Sequence, residues 1–206
     1  MRRSDLRPPG RLGLRWPAAL SGRPAALVVL AAMALAGCGG GSKPAADTSA
    51  QAAVRASTPA AAMRALIEAN PALAGRVRTL YVSSSWSVVE STVGRAAHAV
   101  VFHLVRGRWL SDRSGQVRID ILGPQPGATA PILPQVAIQF TALTPFVESA
   151  LWVDGTQLQL QGGGTPTRGT IYGAPAANLR PGDHVAVGYA RTSSTGTAVA
   201  WVFKVP

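Results

Sequence analysis

Three histidines, one cysteine and a sparse set of carboxylates are the groups in this 206-residue chain that could carry chemistry. A catalytic triad needs a histidine beside an exposed nucleophile and an orienting acid. His98 and His103 lie five residues apart in one apolar segment, so on a strand they point to opposite faces and cannot act together. His184 follows Pro181-Gly182-Asp183 at a strand start. A catalytic reading would require one of the three to share a cleft with Glu90 or Asp183. Glu90 and Glu148 are the one conceivable acid/base pair, yet they fall in different predicted domains, and a glycosidase needs its two carboxyls within about 5 to 10 Å. No Gly-x-Ser-x-Gly elbow, His-Glu-x-x-His pair or Gly-x-x-x-x-Gly-Lys loop occurs. Gly162-Gly163-Gly164 is followed by no predicted helix that could hold phosphate, and reads as a hairpin tip. The lone Cys38 allows neither an intrachain disulfide nor a thiolate metal site. The expectation is a non-enzyme with no catalytic residue, no metal and no cofactor.

Cys38 has a different setting. Six arginines and one aspartate precede Ala25–Ala36, a 12-residue apolar stretch that is too short to span a bilayer. A basic segment, an apolar segment and small residues in that order make a secretory signal over residues 1–37. Leu35-Ala36-Gly37-Cys38 then resembles the lipobox of bacterial lipoproteins. That resemblance implies cleavage before Cys38, a diacylglyceryl group on its thiol, and an extracytoplasmic protein held on the cell membrane by lipid. Of the net charge of +11, five charges leave with such a leader and +6 remains. This balance favours an anionic envelope surface. Nucleic acid would need a clustered basic stripe, and the arginines are instead scattered among apolar strand residues.

Residues 38–56, small and polar, read as the anchor and a tether. Thr58 is placed to cap a helix that starts at Pro59, carries Met63, Leu66 and Ile67 on one face, and stops at Asn70-Pro71. Arg64 and Glu68, four apart, can pair on its outer side. From Val77 the apolar period becomes two, with strands over 77–82, 86–90, 97–105, 108–110 and 116–122. A helix on an antiparallel meander makes residues 57–122 a small α+β module. Its Ser-Trp-Ser-Val-Val and Arg-Gly-Arg-Trp-Leu segments are similar to a short module of actinobacterial secreted proteins, from which no activity follows. Three prolines and two glycines over 123–131 predict a linker, placed at 123–133.

Residues 134–206 read as all β. Leu151-Trp152-Val153 runs into Asp154-Gly155, a tight-turn pair. Val185, Val187 and Tyr189 form one stripe; Val199, Trp201, Phe203 and Val205 form another, and the two are expected to face each other across a sandwich. Leu-Trp-Val-Asp-Gly, Leu-Arg-Pro-Gly-Asp-His-Val-Ala-Val and Thr-Gly-Thr-Ala-Val-Ala-Trp-Val-Phe-Lys-Val together resemble the bacterial Ig-like domains of surface and cell-wall proteins. The resemblance implies a spacer or binding surface without chemistry. Ala190-Arg191-Thr192 stands where many relatives carry an acidic residue, so calcium is not implied.

The fold expected is therefore mainly β, a small α+β module followed by an Ig-like β-sandwich. Trp86, Trp109, Trp152 and Trp201 read as core anchors. The alternative exposes Trp152 beside Asp154 and Gly155 as a stacking platform for an envelope polymer or protein. The function expected is that of a membrane-anchored lipoprotein presenting binding surfaces.

Overall fold

The computed structural model describes residues 56–112 and 114–206, which belong to one compact unit. Helix α1 (Pro59–Ala69) begins as its sequence dictates: the Thr58 hydroxyl accepts from the Ala61 N–H at 3.2 Å, and Pro59 occupies the first turn. Asn70 donates its N–H back to the Leu66 and Ile67 carbonyls, and Pro71 opens a short 3-10 turn. Ala62, Met63 and Leu66 form the buried face, packed with Val89, Phe102 and Trp109. Arg64 and Glu68 are both exposed and form no ion pair.

That helix lies on an antiparallel meander of β1 (Arg76–Val82), β2 (Trp86–Val93), β3 (Ala96–Val105) and β4 (Arg108–Ser111), in that spatial order. Trp86 through Ser91 are all buried on β2, so this strand is covered on both faces. The helix covers one face. The other face packs Trp86, Val88 and Val101 against Ala150, Trp152, Val187 and Tyr189 of the second half of the chain.

The remaining strands form two sheets. One has the order β5 (Val117–Gly123), β6 (Val136–Ala142), β10 (Arg168–Gly173), β9 (Gln161–Thr165). The other has the order β12 (Gly196–Val205), β11 (Gly182–Thr192), β7 (Phe146–Val153), β8 (Thr156–Gln157). Lettered in chain order, these are A-B-E-D against G-F-C with a short C′ strand, the strand order of an Ig-like sandwich. Val136, Ile138, Phe140, Leu151, Trp201, Phe203 and Val205 fill the space between them. The whole is a stack of four layers: helix, meander, G-F-C sheet, A-B-E-D sheet.

Several boundaries differ from the sequence expectation. The strand assigned to the meander at 116–122 is β5, which pairs with β6 in the sandwich. The predicted linker is structural. The Gly127 N–H donates to the Val202 carbonyl, the Lys204 N–H to Ala128 and the Ala130 N–H to Lys204, so the segment runs parallel beside β12. Proline is compatible with such an edge because only one side of the backbone must pair. The Trp201 indole N–H also donates to the Pro124 carbonyl at 2.8 Å.

The triple glycine is strand β9, registered residue by residue with β10. A Cβ on Gly162 or Gly164 would collide with the carbonyl oxygens of Thr170 or Arg168, so glycine permits a close pairing there. Finally, the two apolar stripes do not face each other. Ala186 pairs with Trp201 and Val187 with Ala200 on adjacent strands of one sheet. Val185, Val187 and Tyr189 therefore point to the meander, while Trp201, Phe203 and Val205 point to the other sandwich sheet.

Candidate functional site

Two clusters of titratable groups stand at the two ends of the layer between the G-F-C sheet and the meander. At one end stands the β7–β8 turn. Asp154 and Gly155 both have positive φ, 50° and 82°, as the Asp-Gly pair predicts. The Asp154 carboxylate reaches β11. Its Oδ1 accepts from the Val185 N–H at 3.0 Å and its Oδ2 lies 2.7 Å from His184 Nδ1. The Asp154 carbonyl accepts from the Arg78 guanidinium on β1, and a Cβ on Gly155 would strike that same group.

His184 Nε2 lies 2.7 Å from the Arg180 carbonyl oxygen. A carbonyl can only accept, so Nε2 carries a proton, and the Asp154 carboxylate likewise asks Nδ1 to donate. Both nitrogens donate only in the imidazolium. Burial pulls the His184 pKa down, but the Asp154 and Arg180 hydrogen bonds outweigh it and the net shift is upward. A His–Asp pair of this kind resembles half of a catalytic triad. Here the nitrogen that would serve a nucleophile is already spent on the backbone. The sequence reading offered Glu90 or Asp183 as the acidic partner of a histidine; the partner is Asp154, while Asp183 pairs with Arg95 at 3.1 Å.

Glu90 lies across from Arg78 in the β1–β2 register and is 3% exposed. Its Oε2 is buried without a hydrogen-bond partner. Desolvation raises its pKa, opposed by Arg78 and assisted by the Asp154 charge.

At the opposite end, Arg191 Nε donates to Glu148 Oε2 at 2.7 Å, and its guanidinium carbon sits 5.4 Å from the Trp86 ring centre. His103 stacks on Trp86, centroids 4.1 Å apart at 4°. Tyr189 packs between Tyr81 and Trp152, with its hydroxyl buried and unpartnered. Burial and the Glu148 charge push the Tyr189 pKa strongly upward, so the ring stays neutral.

Glu90 and Glu148 thus belong to separate clusters and form no acid/base pair. His98 and His103 lie on opposite faces of β3, as their spacing requires. The proposed platform is overturned at its centre: Trp152 is 2% exposed, and Trp86, Trp109 and Trp201 are no more than 6% exposed. Asp154 and Gly155 do form a turn, but they clamp β11 and β1. Cys38 lies outside the described residues. Arg78 and Arg191 escaped the sequence reading. The Asp-Gly turn signalled a side chain able to bond backbone nearby, but nothing local named its distant partners. Among the described residues no group of three or more His, Cys, Asp or Glu side chains is placed to hold a metal ion.

No family model matches the chain, and no curated protein matches it. Solved structures similar to it include a titin–obscurin-like 1 Ig complex, 16% identical over 44% of this chain and 95% of that one, with a TM-score of 0.30. A trigonal form of another titin domain is 13% identical over 43% of this chain and 95% of that one, TM-score 0.30. A tandem of titin Ig domains is 4% identical over 59% of this chain, TM-score 0.31, and the chain spans 62% of its length. The Ig-like assignment itself rests on the strand order and register given above.

Proposed function

We propose that this chain is a lipid-anchored extracytoplasmic protein whose folded part is a non-enzymatic scaffold, presenting surfaces to a partner in the cell envelope. The observation that carries the scaffold reading is the double coverage of the G-F-C sheet. It welds an Ig-like sandwich to a helix-capped meander and packs Trp86, Trp152, Tyr81 and Tyr189 into that joint. His184 is spent on Asp154 and Arg180, and Glu148 on Arg191. The anchor reading rests on the lipobox-like Leu35-Ala36-Gly37-Cys38 and the signal before it.

Two experiments test the halves separately. Metabolic labelling with a clickable fatty acid is expected to mark the protein, and Cys38→Ser to abolish the label; a labelled Cys38→Ser protein refutes the anchor. Replacing His98, His103 and His184 together by Gln or Asn is expected to leave the cellular phenotype intact, with a modest stability loss. A folded triple variant that loses the phenotype would favour a histidine-dependent site instead.

A further inference from the structure

We infer that one end of the meander is a membrane-docking edge, in which exposed Arg106 and Arg108 meet anionic lipid headgroups while Val82 and Val105 enter the interfacial layer. The inference rests on the anchor reading. The antiparallel meander brings the β1–β2 and β3–β4 turns to the same end, and the Leu104 N–H donates to the Ser85 carbonyl at 2.8 Å, tying the two turns together. Val82 is 55% exposed and Val105 38%, and Arg106, Gly107 and Arg108 are exposed between β3 and β4. Arg106 and Gly107 have φ of 49° and 75°, a tight turn that fixes the two arginines rather than leaving them on a long loop. Neither turn contains a carboxylate, and neither arginine has an ion-pair partner among the described residues. Glu148, which reaches Tyr81 beside this end, is neutralised by Arg191.

The pairing of Ala56 with β4 commits the occupant. Described backbone begins at Ala56, which bridges Trp109 on β4 and accepts the Trp109 N–H at 3.2 Å, one residue from Arg108. Seventeen residues lie between Cys38 and Ala56. Seventeen residues of flexible chain would span roughly 23 Å, less than the roughly 35 to 40 Å width of a body this size. A lipid on Cys38 therefore biases the Ala56 side of the fold toward the bilayer. The two turns on that side carry basic and apolar groups, and the carboxylate beside them, Glu148, is paired with Arg191, the combination that suits an anionic interface.

The test uses the chain from residue 38 with Cys38→Ser, so that no acyl group contributes, in sedimentation with phosphatidylglycerol-rich and phosphatidylcholine vesicles at low salt. Binding is expected only to the anionic vesicles. Arg106→Asn with Arg108→Gln, chosen because Asn tolerates the left-handed turn, is expected to lower the partition coefficient roughly 30-fold. Arg168→Gln, an exposed charge on β10 in the outermost sheet, is expected to change it less than about twofold. Absence of anionic-vesicle binding, or an equal loss for Arg168→Gln, overturns the docking edge. Complete displacement by soluble polyphosphate of equal charge overturns the lipid assignment, since polyphosphate offers nothing to Val82 and Val105. Failure of the anchor itself reads out separately, as fatty-acid label surviving Cys38→Ser.

Discussion

At the start of β11 a carboxylate, Glu90, is buried with one oxygen unpartnered, and Arg78 lies across from it without closing a hydrogen bond. At the end of β11, Glu148 is also partly buried, but Arg191 holds it at 2.7 Å and itself lies over Trp86. The same layer thus carries one ion that has found its counter-ion and one that has not. Burying an ion is costly unless paired and hydrogen-bonded. The Glu148 end should therefore weaken when its charge is removed, and the Glu90 end should not. A joint between two modules can be tied at both ends and still hold one buried carboxylate without a partner.

The largest expected effect tests whether the joint is cohesive at all. Trp86→Ala empties the slot between Arg191 and His103 and is expected to cost about 3 to 5 kcal/mol by urea denaturation. The loss should appear in a single transition for the described body, because Trp86 belongs to the core shared by meander and sandwich. Two separated transitions would show that the modules unfold independently. Glu148→Gln comes next, with an expected cost of about 1 to 3 kcal/mol as Arg191 loses its charged partner in a half-buried site. No loss would erase the contrast between the two ends.

Asp154→Asn is expected to cost about 1 kcal/mol or less, since the Asp154 side chain is 45% exposed. Its sharper readout is His184. The folded-state pKa of His184 is raised, so its contribution is fully present below the unfolded value near 6.5 and is lost as pH rises through the folded value. NMR titration of His184 should show its pKa fall in Asp154→Asn, with that pH dependence of stability removed. An unchanged His184 titration would mean Asp154 does not hold the proton.

Glu90→Gln is the smallest effect and has the opposite sign. It is expected to gain about 0.5 to 1 kcal/mol near neutral pH, because a buried unpartnered charge is replaced by a neutral amide. Glu90 is raised above the usual carboxylate range, so its contribution is present below about 4.5 and is lost as pH rises through the folded value. Wild-type and variant stabilities should therefore converge in acid and separate above it. A destabilised Glu90→Gln at neutral pH would show that the Arg78 attraction outweighs desolvation.

Local signals in the sequence foretold what is local in the fold. Thr58, Pro59 and Asn70-Pro71 bounded the helix, and Asp154-Gly155 marked its turn, because capping and positive-φ turns depend on a few neighbouring atoms. Alternation also gave the strands and the Ig-like end of the chain. It could not say which sheet a strand joins: Val117–Gly123 alternates equally well as the last meander strand or as the first sandwich strand. The stripes of β11 and β12 were seen correctly, but alternation leaves open which side of the sheet each faces. Glycine and proline misled for a related reason. At 123–131 and 162–164 they mark edges and close pairings, where backbone contacts replace the side-chain pattern that sequence reading follows. The two charge clusters were invisible because their linking pairs, His184–Asp154, Arg191–Glu148 and Arg78–Asp154, lie 30, 43 and 76 positions apart in sequence.

The placement of β12 has a consequence for the order of events in time. This strand pairs with β11, runs beside the 128–130 segment, packs on β3, and supplies Trp201, Phe203 and Val205 to the sandwich core. It is also the last described element to be synthesised. Until it emerges, the sandwich core lacks one wall, the 128–130 segment lacks its partner, and β3 lacks part of its cover. The helix and the meander hairpins can form early, being local, but closure of the stack waits on contacts separated by about a hundred residues. Refolding is then governed by contact order, on the millisecond-to-second scale of sheet-rich domains, which stopped-flow tryptophan fluorescence would register. Local pieces thus form ahead of a body that stays open until the ten-residue strand β12 seats itself.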